Sequence, residues 1–133
     1  DLLLALDVNP DQPYVLNYLA YSWLERKIKI DQSMQMLLKA YEQKQSDPYI
    51  IDSVGWAYYL TEDYDLAEKF LKNALLIMPE DPIVNDHYGD VMWQLDMKLQ
   101  ARYYWNAALS SDEAEEKLIE SINNKLLFGL KNL

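Results

Sequence analysis

The chain contains no cysteine, which excludes disulfide staples and thiolate catalysis and leaves the compartment, cytoplasm or periplasm, undetermined. Glycine is nearly as scarce, three among 133 residues, so no phosphate-cradling G-x-x-x-x-G-K loop exists and nucleotide hydrolysis is excluded. Histidine occurs once. His87 stands beside Asp86 and three residues before Asp90, too few ligands for a metal and no acid–base pair of recognisable geometry. It is expected to hydrogen-bond at a groove edge, and no metal, cofactor or catalytic residue is assigned. Basic residues are outnumbered 12 to 22, for a formal net charge of −10, whereas phosphate binding runs on Lys and Arg. Nucleic acid is therefore excluded as a partner. No apolar run reaches the roughly 18 residues of a membrane span, so direct membrane insertion is not expected.

What the chain does contain is a period. Pro13, Pro48 and Pro82 open three segments 35 and 34 residues apart, which places one extra residue in the first segment, expected in a turn around residues 26–30. Counted from each proline, the fourth, seventh and eleventh residues are Leu16, Leu19 and Trp23, then Ile51, Val54 and Tyr58, then Asn85, Tyr88 and Met92. Steps of three and four make a helical stripe. Seven residues after each proline stands a small residue, Ala20, Gly55 or Gly89, and further small pairs follow at Ser33/Ala40, Ala67/Ala74 and Ala101/Ala108. Where two helices of a hairpin cross at roughly 8–10 Å, a bulky side chain would force them apart, so the crossing selects Gly, Ala or Ser. A repeat of this length is the mark of stacked helix pairs, each burying its apolar face against its neighbours.

Helix boundaries fit that register. Asp47-Pro48 and Asp81-Pro82 each supply a cap acceptor followed by a proline at the first helical position, where its missing N–H does no harm. Asp31, Asp63 and Asp96 are expected to cap the second helices. The acidic run Glu62-Asp63-Tyr64-Asp65 lacks the glycine and terminal glutamate of a calcium loop and belongs at a helix N-terminus. Beyond the third segment, Ser110 and Glu113 have capping-box spacing, and Ala114, Leu118, Ile122, Leu126 and Leu130 follow at steps of four. Opposite them lie Glu115, Glu116, Glu120 and Lys125, the expected solvent face of a terminal helix.

These residues resemble the tetratricopeptide repeat (TPR) family. The signature stands as Val54-Gly55-x-x-Tyr58, Asp63-Tyr64-x-x-Ala67, Leu71-x-x-Ala74 and Pro79, and recurs as Tyr88-Gly89, Ala101, Trp105 and Ala108. The wording of the units is similar to bacterial, and more narrowly alphaproteobacterial, members. The resemblance implies an all-α fold, a right-handed superhelix of antiparallel helix pairs (a TPR α-solenoid) with a C-terminal capping helix. Its expected divisions are residues 13–47, a degenerate first repeat, then 48–81 and 82–111, with the capping helix in 112–133. Residues 1–12 are expected to be the second helix of a preceding repeat, because Leu2-x-x-Ala5-Leu6-x-Val8-x-Pro10 overlays Leu71-x-x-Ala74-Leu75-x-Ile77-x-Pro79. The chain is accordingly expected to be a fragment of a longer protein.

The resemblance also implies where binding occurs. The first helix of each unit would line the inside of the superhelix, through its second, fifth, ninth and twelfth residues. These are Tyr14, Asn17, Tyr21 and Leu24, then Tyr49, Asp52, Trp56 and Tyr59, then Ile83, Asp86, Asp90 and Trp93. Aromatic rings give large, stiff contact area at small entropic cost. Asn17, Asp52 and Asp86 would form a polar ladder, one rung per repeat. The partner expected is a protein or peptide segment, extended or helical, rich in basic and apolar residues. Family members that grip a carboxylate tail use Lys, Arg and Asn where this chain has Asn17, Tyr21, Asp52, Ser53 and His87, so no carboxylate clamp is expected. The alternative expectation is self-association through an N-terminal end bared at Leu2, Leu3 and Leu6, or docking within a larger multidomain bacterial protein. No feature supports an enzyme.

Overall fold

The computed structural model describes residues 12–130, in which seven helices follow one another without a strand. They are α1 (Pro13–Glu25), α2 (Ile30–Gln43), α3 (Pro48–Leu60), α4 (Tyr64–Ile77), α5 (Pro82–Gln94), α6 (Lys98–Leu109) and α7 (Glu116–Phe128). The half-repeat expected in residues 1–12 lies outside the described residues except for Gln12. Two compact units divide the chain within α4, after Phe70.

The three proline-led helices start as their sequences require. Asp47 Oδ1 accepts from the N–H groups of Tyr49 and Ile50 at 2.9 and 3.2 Å, and Asp81 Oδ2 accepts from Val84 at 3.0 Å. At α1 the same role falls to Gln12, whose side-chain oxygen accepts from Val15 at 2.9 Å. Glutamine is not a preferred cap, which is why the sequence did not single it out.

Within each helix pair the turn is built the same way. One residue takes the left-handed conformation, Lys27 at φ 55°, Glu62 at 64° and Asp96 at 63°. The next residue returns an N–H to a carbonyl five positions back: Ile28 to Trp23 at 3.0 Å, Asp63 to Tyr58 at 2.9 Å and Met97 to Met92 at 2.9 Å. This is the 6→1 bond of a Schellman turn, here made without glycine. The turn between α1 and α2 spans residues 26–29, one more than residues 61–63 or 95–97, and its additional residue is Lys29, also left-handed at φ 49°.

The expected second-helix caps are corrected in part. Asp63 does cap α4, accepting from Leu66 at 3.3 Å. Asp31 instead lies in the first turn of α2 behind Lys29, and Asp96 is the left-handed residue before Met97. Residue type misled at Asp96: one period of 34 aligns it with Glu62, not with Asp63.

In the first unit, Leu16, Ala20, Leu24, Leu37, Ala40, Ile50, Val54 and Ala57 form one buried cluster on α1, α2 and α3. Phe70 closes it, with the Tyr41 ring edge-on at 5.3 Å and the Tyr58 ring at 5.6 Å. Ser33 is fully buried, and its Oγ has no hydrogen-bond partner among the described residues. In the second unit α5 and α6 pack closely. The Tyr88 and Tyr104 rings meet edge-on at 4.7 Å, and a Cβ on Gly89 would run into the Trp105 indole and come within 3.1 Å of the Ala101 carbonyl. The small residues at the crossings are buried throughout: Ala20, Gly55, Gly89, Ser33, Ala40, Ala67, Ala74, Ala101 and Ala108.

The terminal helix starts later than its capping box predicts. Ser110 closes α6, with its N–H on Asn106 and Ala107 and its Oγ donating to the Asn106 carbonyl at 3.0 Å. Glu113 N–H donates to Ser111 Oγ at 3.1 Å, and α7 begins only at Glu116. That start is 34 residues after Pro82, and at 13 residues α7 has the length of α1, α3 and α5. Its fourth, seventh and eleventh residues are Ile119, Ile122 and Leu126, the same stripe as in the other first helices. A period unmarked by proline or glycine thus continues into the capping helix.

Candidate interaction surface

The first unit carries eight of the twelve expected contact residues. On α1, Tyr14 is 50% exposed, while Tyr21 is half-buried. Asn17 is also half-buried, and its Oδ1 is shut away from solvent without a hydrogen-bond partner among the described residues. On α3, Tyr49 is 62% exposed, whereas Asp52 is buried. Trp56 and Tyr59 stack face to face at 4.6 Å with 7° between their planes, and Tyr64 joins them 5.6 Å from Tyr59. Leu24 is a correction: at 1% exposure it belongs to the core, because the last turn of α1 lies over Leu37 and its neighbours rather than on an open face.

In the second unit Ile83 is 45% exposed, and the other three residues form one connected site with a residue the sequence reading placed elsewhere. Asp86 and Asp90 lie one turn apart on α5, and Lys125 of α7 reaches both. Its Nζ stands 2.8 Å from Asp86 Oδ1 and 2.9 and 3.2 Å from the two Asp90 oxygens. Asp90 Oδ1 also accepts the indole N–H of Trp105 at 3.0 Å. The Trp105 ring stacks on Trp93 at 5.5 Å, and Lys98 lies 4.8 Å from the Trp93 ring centre. Gly129 ends α7 at φ 75°, where any Cβ would strike that same Trp93 ring at 2.6 Å.

Lys125 therefore does not face solvent, as amphipathic spacing predicts, but inward. Its partner carboxylates explain the reversal: burial disfavours an ammonium unless an opposite charge offsets the lost hydration. Burial works against the Lys125 charge, yet Asp90 and Asp86 outweigh it and hold its pKa above the ordinary lysine value. Asp90 moves the other way for a carboxylate. Burial first, then the adjacent Asp86, push it up to about 6 against the pull of Lys125. His87 is buried beside these groups rather than at a groove edge. No cluster of His, Cys, Asp and Glu among the described residues is suited to a metal ion.

No family model matches the chain. A TPR repeat-containing protein of Pseudomonas aeruginosa is 31% identical over 90 residues, which are 68% of this chain and 15% of the length of that relative. Together with the period, the signature residues and the helix pairs, that match decides the class. The chain is a TPR protein.

Solved TPR structures share its fold. A thermophilic TPR protein of Thermus thermophilus superposes with a TM-score of 0.77 at 18% identity, over 96% of this chain and 70% of that one. The type III secretion translocator chaperone SycD of Yersinia enterocolitica gives 0.74 at 15%, over 88% and 90%. The first TPR domain of Spaghetti, solved with an HSP90 peptide, gives 0.71 at 13%, over 86% and 90%. TPR arrays are in general scaffolds for protein–protein contact.

Proposed function

We propose that this TPR chain binds a basic and apolar segment of a partner protein against the aromatic and acidic faces of its first helices. The carrying observation is the exposure of two rings at matched positions of the first helices, Tyr14 on α1 at 50% and Tyr49 on α3 at 62%. The rings of Tyr14 and Tyr49 would cover the segment's apolar side chains. The net charge of −10 draws a basic partner, as electrostatic complementarity sets on-rate and partner choice. The HSP90 peptide held by the Spaghetti domain, with its Glu-Glu-Val-Asp end, is the wrong sign for this surface.

The test is a titration of a basic-aromatic peptide library against the chain, followed by tryptophan fluorescence and checked by calorimetry. Binders are expected, and Asp52→Lys or Trp56→Ala should weaken them at least tenfold. Binders indifferent to both substitutions, or no binders at all, remove the support for this surface. A second reading, intramolecular docking, is favoured by the seating of Lys125 between Asp86 and Asp90.

A further inference from the structure

We propose that Asp86, Asp90 and Trp105 form a lysine-binding site for an amphipathic helix of a partner protein, and that α7 occupies this site as a displaceable stand-in. The inference rests on the reading of the first-helix faces as binding surfaces and names, for the third repeat, what is bound.

The receptor half is set on α5 and α6. Two carboxylates one turn apart on α5 converge on a single ammonium, and their side chains are only 10% and 5% exposed. The indole N–H of Trp105 fixes the Asp90 carboxylate at 3.0 Å, and the Trp105 ring lies 5.8 Å from the Lys125 ammonium. Hydrogen bonds between ionised groups are about twice as strong as neutral ones, and a ring within about 6 Å of a cation adds to them. One ammonium faces two carboxylates, so the site is more negative than its present occupant requires.

The occupant half is held far less firmly. Ile122 is the single buried residue of α7, and Leu127 and Phe128 at its end are 74% and 71% exposed. The Leu126 carbonyl of α7 also accepts from Arg102 Nη1 at 2.6 Å. Helices with little buried apolar surface open at small free-energy cost. A competing helix with an aliphatic residue, a lysine three positions on and a second aliphatic next to it reproduces what α7 offers through Ile122, Lys125 and Leu126.

A labelled synthetic peptide with the sequence of residues 116–130 serves as the probe, titrated by fluorescence anisotropy against the full chain and its variants. Lys125→Ala alone should raise affinity for the peptide at least threefold over the unaltered chain, and Ile122→Asp with Lys125→Ala at least tenfold. Replacing the lysine of the peptide by methionine, or adding Asp90→Asn to the opened chain, should abolish the gain. Circular dichroism separates opening of α7 from general unfolding, and if the double variant unfolds the single variant decides. Equal affinity of the unaltered and Lys125→Ala chains, or equal binding of the methionine peptide, overturns the proposal. These variants leave Tyr14, Asp52 and Trp56 intact. Failure here with library peptides still bound and still sensitive to Asp52→Lys thus rejects the lysine site and not the wider binding surface.

Discussion

Lys125 and Asp90, 35 residues apart in the chain, meet at 2.9 Å. The contact ties the last described helix to the third proline-led one, and the tie depends on protonation because it joins two buried titratable groups. Removing Lys125 would leave two buried carboxylates uncompensated, which makes its pairing far more consequential than a surface ion pair.

That relationship has a pH signature. Asp90 titrates near 6 in the folded chain against 3.8 for an ordinary aspartate, so between those values the folded state holds a proton that the unfolded state has released. Stability from this group therefore falls as pH rises through the window and stays lower above it. The groups facing Asp90 are Asp86 and His87 on its own helix, Lys125 from α7 and the non-titrating indole of Trp105 from α6. Urea unfolding of the unaltered chain and Asp90→Asn at pH 4, 5, 6 and 7 is the check. The difference between them should shift in favour of the variant as pH rises, and a difference that is flat across the four values would refute the assignment.

Ser33→Ala should stabilise the first unit. The serine is fully buried with an unpartnered hydroxyl, and the equivalent places hold Ala67 and Ala101, both equally buried. Relief of the buried polar group is worth about 1 kcal/mol, visible as a higher urea midpoint at an unchanged slope. A lower midpoint would mean the hydroxyl has a partner in solution.

Gly89→Ala should destabilise the second unit by about 1–3 kcal/mol, the range for overpacking a filled core. The added methyl meets the Trp105 indole, which cannot retreat without giving up its bond to Asp90 and its stack on Trp93. Thermal unfolding is the measurement, and near-ultraviolet circular dichroism should report the disturbed tryptophan. Neutrality would show that the two helices can part at this point without loss.

Asp96→Gly should stabilise the turn between α5 and α6. Asp96 is held at φ 63°, where a Cβ is disfavoured and glycine is not, by about 1 kcal/mol for a residue of this kind. The opposing cost, greater freedom of the unfolded chain, is about 0.4–1 kcal/mol, so the net gain is small. A midpoint at or below that of the unaltered chain would count against the shared turn geometry as a source of strain.

The helix pairs were legible because their signals act over short range. A proline behind an aspartate, apolar steps of three and four, and a small residue where two helices must cross each constrain only a few neighbours, and the period of about 34 residues repeats them. Capping by Gln12 was hidden because glutamine caps few helices, and Asp96 was mistaken for a cap because its residue type outweighed its register. The start of α7 at Glu116 was present in the period but bore no proline or glycine to mark it.

The aromatic and acidic character of the first helices thus belongs to the sequence alone, as does the repeat that carries them. Tertiary structure decided which of those residues stay open. Tyr14 and Tyr49 remain exposed, Leu24 and Asp52 are buried, and Lys125 turns away from water. The reason is distance along the chain. Spacing within α7 sends a charged side chain outward, and that holds for the exposed Glu116 and Glu120. For Lys125 two carboxylates on another helix supply an attraction strong enough to offset its dehydration, and no pattern within α7 encodes their position.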